Sequence, residues 1–392
     1  MMQPTLHTSS PASVGLDEGA LARLDAAIQN DIDKQLNFGA SIIIARGGRI
    51  AHRRTFGTSA PGRSTADTDR FLLMSMSKSF VAALILRAVD EGRFNLDTLI
   101  DDLVPGFGAN GKKRATLRHL LTHSAGLPFA LIPPGLPLDK VGDLAAKTLC
   151  INALQTEYIP GTRVIYTSAV GFDLLGQILV NTDTRGRSFS QIATEDLFIP
   201  LGMNDSSFGI DMTDTRRVPA SATEKNSTRM TPVLLNACNN FFTGAAEFPA
   251  GNAFSTIEDV FRFTEMYRGC GTTGDFRYLS PALYEYANRN HTGVLTNDGW
   301  LFETESRGIA PFPANFSLLG GYTRGEGHFF TPAGHTASSR AFAAVGGGST
   351  SYLIDPKRDL TFIFLSSGFF TGLSHLERVS RLNDLALATV ND

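Results

Sequence analysis

Apolar positions along the chain change period several times, and the changes outline the elements. Over residues 17–35, Leu21, Leu24, Ala27 and Ile28 fall on one helical stripe. Residues 39–57, GASIIIARGGRIAHRRTFG, read as a hairpin: an apolar run, a Gly-Gly turn and a second strand. The stretch 77–92 predicts a helix closed by Gly92. Helical spacing then recurs over 116–122, 140–153, 168–182, 188–199 and 256–269, separated by loops. Ser255 or Thr256 caps the last of these, with Glu258 and Asp259 in its first turn. Near the C-terminus the pattern returns to strands at 340–347, 350–356 and 359–367, joined by tight turns. GLSHLERVSRLNDLALATV follows as an amphipathic helix. Strands toward both ends with helices between them predict one sheet built from the two termini and a helical insertion. The expected division is 1–70 with 296–392 against 71–295.

Composition narrows the function classes. The 392 residues suffice for one large or two ordinary domains, and 42% hydrophobic with 19% charged residues is a globular balance. A formal charge of -3 leaves no basic surplus, which argues against nucleic acid as a partner. Cys150, Cys238 and Cys270 are far apart and odd in number. They are read as buried free thiols of a reducing compartment, not a disulfide framework. The first 19 residues show neither a basic n-region nor an apolar h-region, and no apolar run reaches the length of a membrane span. The expectation is a cytoplasmic chain with no membrane partner. No His, Asp and Glu cluster has metal spacing and no glycine-rich phosphate loop is present, so neither metal nor cofactor is expected.

The candidate chemistry begins in SMSK, where Ser75 and Lys78 are three residues apart. At that spacing a lysine shares a helical face with the serine and can hydrogen-bond and activate its hydroxyl. The alternative is a serine at a helix start with a lysine on the wet side. The apolar neighbours Phe71, Leu72, Leu73, Met74, Phe80, Val81, Leu84 and Ile85 speak for a lysine aimed into a polar cleft. A second signal is Tyr166 with Ser168, in YTS ahead of a helix. Beside a cationic lysine a phenolate becomes accessible and can move the serine's proton. The competing reading is a packed tyrosine with its hydroxyl tied to backbone. His123 has no G-x-S-x-G elbow to serve and is read as a packed, hydrogen-bonded core group. His335 is assigned to a surface loop. Phe129 and the apolar, proline-rich stretch after it, with Phe241 and Phe242, are candidate pocket walls.

S-x-x-K followed some 90 residues later by Y-x-S resembles the serine β-lactamase and penicillin-binding-protein superfamily. The class C β-lactamase-like branch with its family VIII carboxylesterases is the nearest in pattern. TLRHLLTHSAGLP, YIPGTRVIYTSAVGFDLLG, PLGM, PAGNAFSTIEDVFRF and YLIDPKRDLTFIFLSS follow in the branch's order. The resemblance implies an α+β fold, an antiparallel β-sheet flanked by helices beside a mostly helical second domain, with the active site between them. It implies acyl transfer with Ser75 as nucleophile, Lys78 orienting and activating it, and Tyr166 as general base. The branch's third motif maps to Ala344, Val345 and Gly346, so the amides of Gly347 and Ser75 form the implied oxyanion hole. Substrate contacts are implied for Ser168, Phe129, Ala344 and Gly346. Two departures stand out: Ala344 replaces the lysine that helps hold a substrate carboxylate, and Ser168 replaces an asparagine. Both favour a carboxylesterase of small or medium esters over a lactamase. Alternatives are an acyltransferase, an amidase or D-aminopeptidase with the same residues, or a non-catalytic ligand-binding member of the fold.

Overall fold

The computed structural model describes residues 6–223, 231–370 and 372–392. Residues 1–5, at the start of the stretch read above for a leader, and the remainder of the expected 71–295 segment at 224–230 lie outside them.

The hairpin forms as the pattern dictates. Gly39–Arg46 pairs antiparallel with Arg49–Ala60, and the turn glycines Gly47 and Gly48 have φ of 59° and 73°. Two successive positive φ values are what a twist-matched two-residue hairpin demands. Leu360–Ser367 lies antiparallel on the other side of Gly39–Arg46. The main path of the sheet runs His7–Thr8, Arg49–Ala60, Gly39–Arg46, Leu360–Ser367, Thr350–Asp355, Phe342–Gly346 and Tyr322–Thr323. It is antiparallel except for its first pair. The two chain ends therefore build one sheet, with the last long strand at its centre.

Alternation along the strands divides the core. Ile42, Ile44, Phe362 and Phe364 face the helices Glu18–Asp33 and Leu373–Leu387, meeting Leu24, Ile28 and Leu382. Ile43, Ile363, Phe342 and Tyr352 face the other way. There they join Val260 and Phe263 of the helix Ile257–Arg268 and, beyond it, Phe80 and Ile85 of Ser77–Asp90 and Leu174 of Val170–Asn181. One helix of the 71–295 stretch, Ile257–Arg268, thus covers the sheet. Its N-cap is Thr256, whose hydroxyl accepts from the Asp259 N–H.

Several local expectations change. The helix expected at 188–199 is interrupted, because Thr194–Phe198 widens into a π turn. Short strands at Phe71–Leu72, Ala253–Ser255 and Ser207–Phe208 make a second small sheet that the pattern did not reveal. Of the three free cysteines, Cys238 is buried, but Cys150 is half-buried and Cys270 exposed, since Cys270 sits in a tight turn at φ 53°. Among the described residues no helix is long and apolar enough to cross a membrane. No group of three or more His, Cys, Asp and Glu among them could hold a metal ion.

Candidate active site

Ser75 sits in a tight 3-10 turn, Met74–Met76, that runs directly into the helix Ser77–Asp90. Met74 has φ 47°, a left-handed conformation that a long side chain adopts only under constraint. The constraint comes from two sides. The Leu73 N–H donates to Ala253 O at 2.8 Å, across the small sheet. The Leu73 carbonyl accepts from the Thr350 hydroxyl at 3.0 Å, from the large sheet. Gly346 lies so close that a Cβ there would be 2.0 Å from Leu73 O. The Ser75 turn is clamped between both sheets.

Two side chains converge on the Ser75 hydroxyl. Lys78 Nζ donates to Ser75 Oγ at 3.0 Å, and Tyr166 Oη donates to it at 2.6 Å. Lys78 is 3% exposed. Its Nζ also donates to Ala250 O at 2.9 Å and lies 5.2 Å and 5.6 Å from the ring centroids of Tyr166 and Phe172, within cation–π range. Tyr166 is fixed at its backbone, where its N–H donates to Asn297 Oδ1 at 3.0 Å. Its ring rests on His123, centroids 4.6 Å apart.

His123 is the packed group expected of it. The Thr167 N–H donates to His123 Nδ1 at 3.3 Å and the Thr167 hydroxyl lies 3.0 Å from the same atom, which leaves the ring proton on Nε2. Burial, then the nearby Lys78 charge, hold its imidazole well below the usual histidine range, so it is neutral. His335 is exposed in a loop against Asp384.

Ser75, Lys78, Tyr166, Ser168, Phe129 and Gly347 all line one cleft of about 220 Å³. Phe129, Leu131 and Ile132 form one wall, tied to the Tyr166 segment by Ala169 N–H donating to Ala130 O at 3.0 Å. Leu234, Phe241 and Phe242 form another, from the helix Pro232–Phe241 and the residue that caps it, a helix absent from the sequence reading. Ala344 and Gly346 do not line the cleft. Strand alternation turns them with Phe342 toward the core and the Ser75 turn, while Val345 faces the opening. Gly346 acts instead through its backbone proximity to Leu73.

The sequence also passed over His375, Trp300 and Tyr322, which line the cleft. His375 is 2% exposed beside Gly347 and Gly348. Its Nδ1 accepts from Arg378 Nη2 at 2.9 Å, and burial holds it well below the usual histidine range. Arg378 donates to Gly348 O at 3.0 Å and to Leu36 O at 3.1 Å, bracing the glycine turn from behind. A histidine and an arginine three apart beside the apolar stripe of the last helix were the available signal.

The beta-lactamase family model matches residues 24–386. The chain belongs to the beta-lactamase family. Esterase EstB of Burkholderia gladioli is 27% identical to this family member over 339 residues, 76% of the chain and 82% of EstB. Protein flp of Staphylococcus aureus (strain MW2) is 27% identical over 191 residues, 47% of the chain and 38% of flp, so the match spans little more than a third of flp. Two solved structures share the fold across 96% of the chain and 99% of their own, each at 20% identity and TM-score 0.75. One is EstCE1, described as a hydrolase with promiscuous acyltransferase activity; the other is a family VIII carboxylesterase. The α+β architecture read from the sequence is this family's fold.

Proposed function

We propose that this chain is a serine carboxylesterase that hydrolyses neutral esters through an acyl-enzyme on Ser75. One observation carries the reading: Lys78 Nζ and Tyr166 Oη meet at the Ser75 hydroxyl, at 3.0 Å and 2.6 Å, inside an apolar cleft. The esterase name of EstB and the carboxylesterase fold-mate support the same reading.

Loss to solvent of the phenol proton that Tyr166 directs at Ser75 Oγ reverses that bond: the Ser75 proton then passes to Tyr166 Oη as Oγ bonds to the ester carbonyl carbon, with Lys78 Nζ beside the hydroxyl. The amides of Ser75 and Gly347 receive the oxyanion. The tetrahedral adduct collapses, Tyr166 returns the proton to the departing alkoxide, and the alcohol leaves. Water then enters, gives a proton to Tyr166 and attacks the acyl carbon; Ser75 leaves and recovers its proton.

The lining favours an uncharged substrate with an apolar acyl or alcohol group. Among the described residues Lys78 is the one charged side chain in the cleft, and its ammonium already serves Ser75 and Ala250. A substrate carboxylate finds no counter-ion there, and Ala344 supplies none.

The test is intact-protein and peptide mass spectrometry after trapping with p-nitrophenyl esters, beside steady-state rates of Ser75→Ala. An acyl adduct on the Ser75 peptide and a loss of about a thousandfold or more in kcat are expected. Retained hydrolysis in Ser75→Ala, or an adduct on another residue, overturns the proposal.

A further inference from the structure

We propose that the buried Lys147–Asp173 ion pair is a positioning device for Lys78, acting through the backbone at Ala250; this rests on the reading of Ser75 and Lys78 given above. Both side chains are 1% exposed, and Lys147 Nζ meets Asp173 Oδ2 at 2.8 Å. They come from two helices packed together, Leu144–Ala153 and Val170–Asn181. A fully desolvated ion pair is a weak source of stability, since apolar residues of similar volume often serve as well or better. What an apolar pair cannot supply is directed hydrogen bonds.

Every further polar contact of this pair goes to one short run of chain. Lys147 Nζ donates to the carbonyl of Glu247 and lies 4.0 Å from the Phe248 ring centroid. Asp173 Oδ1 accepts from the Ala250 N–H at 3.1 Å. The run is thus gripped at both ends, and its far end is the carbonyl that takes Lys78 Nζ at 2.9 Å. A lysine head on a flexible four-carbon stem needs such a fixed acceptor to stay on the Ser75 hydroxyl. The same run brings Phe248 to the cleft wall. The pair therefore sets the lysine's reach without touching the substrate.

Two double variants separate positioning from packing. Lys147→Met with Asp173→Leu removes both charges at similar volume and leaves Ala250 N–H without an acceptor. Lys147→Met with Asp173→Asn also removes both charges but keeps an oxygen for that N–H. Pre-steady-state acylation by p-nitrophenyl acetate, steady-state kcat and KM, and Tm are measured on each, with Ser75→Ala alongside. The leucine variant is expected to lose about 10- to 100-fold in the acylation rate with KM changed less than about twofold. The asparagine variant is expected to recover most of that loss. If the leucine variant does not fold, Asp173→Ser in the same background replaces it, because the shorter hydroxyl falls short of Ala250; the same slowing is expected. Equal acylation rates in the leucine (or serine) and asparagine variants overturn the proposal. Hydrolysis surviving in Ser75→Ala instead overturns the underlying assignment of the nucleophile, a result the paired variants cannot mimic.

Discussion

Gly346→Ala offers a direct measure of how tightly the glycine strand and the Ser75 turn are coupled. A Cβ at this position would lie 2.0 Å from the Leu73 carbonyl oxygen and 2.1 Å from Thr350 Oγ1, where ordinary contact begins near 3.4 Å. The threonine can rotate, but in doing so it gives up its 3.0 Å hydrogen bond to Leu73 O. The carbonyl is backbone and cannot rotate away alone. Strand and turn must therefore separate by about 1.4 Å, the shortfall from ordinary contact. Overpacking of this kind costs about 1–3 kcal/mol. A displacement of about 1 Å between catalytic groups can slow a reaction roughly 100-fold. The expected result is a lower Tm together with a fall of about two orders of magnitude in kcat. Gly347→Ala is the internal control, since a Cβ there meets nothing within 4 Å and Tm should hold. Differential scanning calorimetry and burst kinetics on the pair decide the matter. A Gly346→Ala protein with wild-type Tm and kcat would refute the coupling.

Other expectations follow from the same geometry. Tyr166→Phe keeps the ring on His123 but removes the oxygen facing Ser75, so kcat should fall about 10²- to 10⁴-fold with little change in KM; unchanged kcat would remove Tyr166 from proton transfer. His123 and His375 are buried with folded pKa values depressed below the unfolded one, so their contribution is present above about pH 6.5 and is lost as pH falls toward the folded values. Below that pH these two sites alone make the unfolded chain take up two protons that the fold refuses, about 2.7 kcal/mol of stability per pH unit, and in denaturant titrations His123→Gln should flatten the measured slope by about 1.4 kcal/mol per pH unit. Lys112 is fully buried and donates to the carbonyls of Ala109, Asn152 and Leu154, so Lys112→Met should cost about 3 kcal/mol or more in chemical denaturation, and a neutral result would mean that those carbonyls find other donors. Methanol or butanol added during turnover should divert the acyl-enzyme to the corresponding ester in proportion to alcohol concentration; an absence of transesterified product at high alcohol would count against a lasting acyl-enzyme.

The parts of this architecture that could be read from sequence are those with local signatures. The run SIIIA, a Gly-Gly pair and a second strand sufficed for the hairpin, and TFIFLSS for the central strand. The meeting of Ser75, Lys78 and Tyr166 was legible because it is bound to fixed spacing, three residues in one case and an ordered motif in the other. The small sheet was not, because strands of two or three residues are too short to establish a period. Nor was the Lys147–Asp173 pair, whose members are 26 positions apart on two helices that only tertiary packing brings together. Ala344 shows the limit of motif transfer. The register placed it on its strand, but its side chain joins the core and does not line the cleft.

The placement of Leu360–Ser367 between Gly39–Arg46 and Thr350–Asp355 has a consequence for biosynthesis. The hairpin leaves the ribosome early, yet the partner for its most apolar edge is made more than 300 residues later. At about 5–20 residues per second, the nascent chain carries an unpaired, adhesive strand edge for roughly 15–60 s. Until that gap is filled, nothing holds Thr350 and Gly346 against Leu73, so a growing or truncated polypeptide should be catalytically silent and dependent on chaperones.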